Sequence, residues 1–152
     1  MIMKKITALF SIFALYFAFT SYNTAFANDE DENILSAIVM EMHDECPMEF
    51  QEGIELADVH LQSKFVVFYF ELDDEEFELD PSMYSTIRPL MKESMNESYK
   101  VVTRTNEAFK MLVEYMVKTK KGLKIYYYTD YEEKTPEPLV IEFTTKDVKA
   151  WL

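Results

Sequence analysis

Past residue 30 the apolar positions follow two rhythms, one of three to four residues and one of two. Ile34, Leu35, Ile38, Val39 and Met42 recur at helical spacing, which predicts a first helix from Asp31 to Asp44. Cys46-Pro47 stops it, because the residue before a proline is pushed out of the helical region. Ala57, Val59 and Leu61 then alternate with Asp58 and His60, and the period of two resumes after Gln62-Ser63 in Phe65 to Leu72. These are two strands. A two-residue turn at Gln62-Ser63 pairs Leu61 with Lys64, Val59 with Val66 and Ala57 with Phe68, and so places Ala57, Val59, Leu61, Val66, Phe68 and Phe70 on one apolar face. Asp58, His60, Phe65, Val67 and Tyr69 share the other, and a slip of one residue along one strand would exchange the two faces.

Asp73 to Asp80 carries six acids and reads as a loop. Asp80 and Pro81 suit the N-cap and first position of a helix carrying Tyr84, Ile87, Met91 and Met95, with a kink or break expected near Arg88 because Pro89 follows. Thr105 caps the next helix, whose stripe is Phe109, Leu112, Val113 and Met116, and Gly122 closes it. Leu123 to Tyr131 and Leu139 to Thr144 are strands, and Thr145 caps a short tail helix with Val148 and Trp151. The expected fold is α+β, a four-stranded antiparallel sheet with helices packed on one face.

The first 27 residues belong to export rather than to this fold. Lys4 and Lys5, the apolar stretch Ile6 to Phe19 and the small-x-small site Ala25-Phe26-Ala27 form the three parts of a cleaved signal peptide. Residues 28–152 are then one domain, exported to the periplasm or secreted. No later apolar run reaches spanning length, so no membrane span is expected in the mature chain. Losing two lysines and no acid takes the formal net charge from −13 to −15. That charge repels phosphate backbones, and the basic residues Lys118, Lys120, Lys121 and Lys124 suit a helix C-terminus better than a nucleic-acid stripe.

Candidate chemistry is sparse. Cys46 is the single cysteine, so no intrachain disulfide forms, and the acids at 44, 45 and 49 oppose a reactive thiolate. His43, Asp44 and Cys46, with Glu41 nearby, include zinc-ligand types, but they crowd one helix end and the only other histidine is His60. The acids of residues 73–80 lack the glycine of a calcium loop, and neither a phosphate loop nor a G-x-S-x-G nucleophile motif is present. Asn96-Glu97-Ser98 matches a glycosylation sequon inside a predicted helix. No metal, cofactor or catalytic residue is expected, and the chain reads as a non-enzyme.

Aromatic residues carry more content. Eight Tyr and seven Phe remain after residue 27, and Tyr126-Tyr127-Tyr128 forces rings onto both faces of its strand. With Ile125 and Tyr127 toward the helices, Tyr126 and Tyr128 join Phe65, Val67 and Tyr69 on a mixed sheet face. Such a face is either a half-exposed surface that tyrosine tolerates or a docking patch.

Cys46-Pro47, Gly53, Leu56, Val59, Val66-Val67 and Tyr69, with the late Tyr126-Tyr127-Tyr128 and Ile141 to Thr144, resemble a pattern of small exported proteins of unknown function from Gram-negative bacteria. The resemblance implies a periplasmic or secreted α+β domain and carries over no catalytic residue. Two functions stay open. One is a protein-binding or self-associating module that uses Phe65, Val67, Tyr69, Tyr126 and Tyr128 against an envelope or extracellular protein or a second copy. The other is a thiol-dependent hydrolase or redox accessory protein using Cys46 with His43 or His60.

Overall fold

A computed structural model describes residues 31–134 and 137–152, and the segment 1–27 read as a signal peptide lies outside them. The chain runs α1 (Asp31–Glu45), β1 (Met48–Gln51), β2 (Ile54–Leu61), β3 (Phe65–Leu72), a 3-10 turn (Pro81–Met83), α2 (Tyr84–Thr105), α3 (Glu107–Lys118), β4 (Gly122–Tyr128), β5 (Leu139–Phe143) and α4 (Thr145–Lys149). The α+β class holds. The sheet, however, has five strands in the order β1-β2-β3-β4-β5 and is mixed, because β3 and β4 are parallel while every other pair is antiparallel. This corrects the four-stranded antiparallel expectation on two counts. β1 is only four residues long, too short to display an alternation. The direction of β4 depends on how α2 and α3 cross the sheet, and a count of helices between two strands does not determine at which end the chain returns.

Local expectations are also corrected. The hairpin turn sits one residue later than Gln62-Ser63: Leu61 pairs with Val66, and the Gln62 N–H donates to the Phe65 carbonyl at 2.8 Å. Moving a turn by one residue moves the cross-strand partners by two, so the faces survive. Pro89 does not break its helix, which runs 22 residues from Tyr84 to Thr105. A proline removes one N–H near the helix start, while Ile87, Met91, Met95, Tyr99 and Val102 hold the helix to the core. Asn106, not Thr105, caps α3 by accepting from the Phe109 N–H at 3.0 Å, and Thr144, not Thr145, caps α4 in a reciprocal box with Asp147.

Gly122 begins β4 rather than ending α3, and a Cβ there would collide with the Phe143 carbonyl and press on the Phe65 ring. Gly53 has φ +87° and turns β1 into β2, a conformation open chiefly to glycine.

Helices α1 to α4 cover one face of the sheet, α1 over β2 and α2 over β5, with α3 packed against the other three helices. Leu56, Val59, Val66, Phe68, Phe70, Leu123, Ile125, Tyr127, Ile141 and Phe143 point into that layer and join the helix stripes in one core. Tyr99, Phe109, Phe143 and Trp151 meet there edge to face, tilted or stacked. Trp151 Nε1 donates to Asn96 Oδ1 at 2.8 Å, so the sequon asparagine is an internal tie between α2 and the C-terminal residues. Among the described residues, no helix is long and apolar enough to cross a membrane.

Candidate functional site

The face that the helices leave uncovered gathers most of the chain's unusual chemistry, and a backbone irregularity is the reason. Ile54 and Leu56 face the core, so strict alternation would send Asp58 and His60 there too. Instead the register shifts between Leu56 and Asp58, which places Asp58 opposite Tyr69 and His60 opposite Val67 on the far face, while Val59 keeps the core side opposite Phe68. This bulge at Ala57 re-aims a carboxylate, a recurrent use of the device. It also corrects the placement of Ala57 as a core partner of Phe68.

Two histidines converge on that carboxylate. His43, at the C-terminal end of α1, puts Nδ1 2.6 Å from Asp58 Oδ1, and His60 puts Nε2 2.7 Å from Asp58 Oδ2. The imidazoles meet edge to face with centroids 5.4 Å apart. The Val59 N–H donates to Asp58 Oδ1 at 2.8 Å, and the Tyr131 hydroxyl lies 3.5 Å from Oδ2. Burial alone would push the Asp58 pKa up, but hydrogen bonds from His60, the Val59 amide and His43 outweigh it and hold the carboxyl below its usual range. The histidine side chains are about half exposed, at 45% and 48%, whereas Asp58 keeps 18%. Among the described residues, His43, Asp58 and His60 place one ligand atom each within 4.8 Å of one another.

Next to this cluster lies a tyrosine stack. The His60 ring meets Tyr69 edge to face, Tyr69 stacks on Tyr126 at 5.2 Å, and Tyr126 stacks on Tyr128 at 6.2 Å. The segment after β4 folds back over it: the Tyr131 N–H donates to Glu71 Oε2 at 2.8 Å, and the Tyr131 ring packs on Tyr69 and Tyr128. Lys134 Nζ sits 3.1 Å from the centroid of the Tyr131 ring. Of the five residues assigned to this face, Phe65, Tyr69 and Tyr126 are partly exposed, but Val67 is fully buried and Tyr128 is 6% exposed. Lys124 Nζ lies 5.2 Å from the Phe65 ring centroid, so that cation belongs to this face rather than to a helix end. Lys121 is buried instead, donating to the Ser63 carbonyl at 2.7 Å and pairing with Glu32.

Cys46 is partly buried beside the cluster. Burial, then the negative charges of Asp58, Glu45 and Glu55, push its thiol up to about 12. A thiol so raised is almost wholly protonated at neutral pH, the opposite of an activated nucleophile. Glu49, Glu55, Glu71, Asp73, Asp74, Asp130 and Glu132 line an open acidic cleft. There burial, then Glu71 and Glu49, raise the Glu55 pKa.

Sequence reasoning singled out His43 and His60 separately and missed Asp58 as the residue joining them. A signal was present: the core-facing apolar positions change parity from Ile54 and Leu56 to Val59 and Leu61, which only a bulge between them accommodates.

No protein-family model matches the chain, and no curated protein matches it. A crystal structure of a protein from Pseudomonas aeruginosa, described as a "putative secreted protein", superposes with a TM-score of 0.50 at 14% sequence identity, over 85% of this chain and 99% of that one. What the two chains share at that identity is the fold.

Proposed function

We propose that this chain is an exported, non-enzymatic binding protein that presents the uncovered face of its sheet to a protein partner or to a second copy of itself. The observation that carries the reading is the aromatic row Phe65, Tyr69 and Tyr126, which stays partly exposed on the face opposite the helices while the core is complete without it. Half-buried tyrosines, apolar on their faces and polar at their tips, are the side chains most used at protein interfaces. Export is supported by the three-part segment at residues 1–27 and accords with the description of the Pseudomonas protein as secreted. Val67 and Tyr128 serve as supports under the row, since both are buried.

The thiol-dependent reading finds less support. Cys46 is held in its protonated form, and both imidazoles are already engaged with Asp58. Replacing Phe65 and Tyr126 together with Ser tests the binding reading. Sedimentation equilibrium and capture from envelope extract should show association in the unaltered protein and its loss in the variant, with the far-ultraviolet circular dichroism unchanged. A monomer that captures nothing, or a variant that associates as well as the parent, refutes it.

A further inference from the structure

The geometry points to a metal site that the sequence did not suggest: we propose that His43 Nδ1, the Asp58 carboxylate and His60 Nε2 together bind one divalent late first-row cation of the Zn²⁺ type, independently of any protein partner. Three observations carry this. The donor set is two imidazoles and one carboxylate, which suits borderline cations such as Zn²⁺, Co²⁺, Ni²⁺ or Cu²⁺ and does not suit Ca²⁺ or Mg²⁺, whose sites are built from oxygens. The donors converge across the fold from two elements, the end of α1 and the bulged part of β2, with their ligand atoms within 4.8 Å of one another. Metal–ligand bonds of about 2.0–2.2 Å put two donors of one cation at most about 4.4 Å apart, so donors within 4.8 Å of one another need only a small rearrangement to share it.

The surroundings fit as well. The Val59 N–H fixes Asp58 Oδ1 from behind at 2.8 Å, and the Tyr131 hydroxyl stands 3.5 Å from Oδ2, the kind of outer support that orients metal ligands. Of the three donors the carboxylate supplies a negative charge, within a chain of net charge −13. Both rings are half exposed, which gives a cation a way in and leaves its remaining coordination positions to water. Without metal, each imidazole turns an N–H toward the carboxylate. Binding takes the tautomer in which that nitrogen offers its lone pair and the opposite nitrogen carries the proton. The ligand count is that of an open site rather than a closed structural one.

The full chain, expressed with its own leader, purified and stripped with a chelator, is titrated with Zn²⁺ by calorimetry and with Co²⁺ by visible absorption. One equivalent should bind, Co²⁺ should develop ligand-field bands, and excess Ca²⁺ should not compete. His43→Ala and His60→Ala should each weaken binding by roughly tenfold or more, while Cys46→Ser leaves it unchanged. In the unaltered protein, Zn²⁺ should shift the ring ¹⁵N resonances of His43 at Nδ1 and of His60 at Nε2, a readout that needs no variant to fold. Absence of stoichiometric binding overturns the proposal. So do full-strength binding in both histidine variants, loss of binding in Cys46→Ser, or unmoved histidine resonances. Association measured with and without Zn²⁺ keeps this outcome separate from the partner-binding reading.

Discussion

The two faces of the sheet are built from the same strands and obey different rules. On the helix side, Val66, Phe68, Phe70, Leu123, Ile125, Ile141 and Phe143 are apolar and buried, and the helices supply complementary stripes. On the other side, neighbours one residue away are Asp58, His60, Tyr69, Lys124 and Tyr126, bound through hydrogen bonds, ring stacking and cations over rings. The first face gains its free energy from removing apolar area from water, a term indifferent to the identity of the groups so long as they fit. The second depends on which atoms meet. Specific chemistry therefore collects on the face that the core does not need.

The sharpest break of this comparison is Phe68→Ala. Phe68 is wholly buried at the centre of the helix-side layer, and its truncation should cost about 3–5 kcal/mol by urea denaturation. A loss comparable to that of a surface substitution would mean the helix layer is not the core.

Val67→Ala tests the claim from the other face. Val67 is as buried as Phe68 although it points away from the helices. Its truncation should cost about 2 kcal/mol in the same assay. A neutral result would show that the far face is an open surface, and would favour a wider docking patch than Phe65, Tyr69 and Tyr126.

The smallest effect concerns charge. The folded-state pKa of Glu55 is raised, so its favourable contribution is complete below the ordinary carboxylate pKa of about 4.3 and is lost as pH rises through the raised value. Glu55→Gln should leave stability near pH 3 unchanged and raise the melting temperature at pH 7. The gain should stay within about 0.5 kcal/mol, because water screens a partly exposed group. A variant less stable than the parent at pH 7 would show that the acidic cleft is not self-repelling.

Much of the architecture was legible because its signals are local. The α1 stripe needs only a period of 3.6, the halt at Cys46-Pro47 only a proline, and the strands β2 and β3 only alternation. Tyr126 and Tyr128 were assignable to the face opposite Tyr127 for the same reason, since successive strand residues point oppositely. Misreadings arose where two local rules compete. Thr105 and Asn106 are both acceptable caps, and packing chose Asn106 while the Thr105 hydroxyl donates back to the Val101 carbonyl at 2.9 Å. Pro89 signals a break, yet a stripe buried along the whole of α2 outweighs one missing hydrogen bond.

By itself, then, the sequence determined an acidic α+β chain, the order of its long elements and the face most strand residues take away from the bulge at Ala57, because helical period, alternation and charge act over a few residues. The tertiary structure decided the fifth strand, the parallel pairing of β3 with β4 and the meeting of His43, Asp58 and His60. The last two rest on contacts between segments far apart in the chain or on a single bulge, whereas β1 pairs with its sequence neighbour and is only too short to display an alternation. Their free energy belongs to the assembled sheet, and no short window of residues contains it.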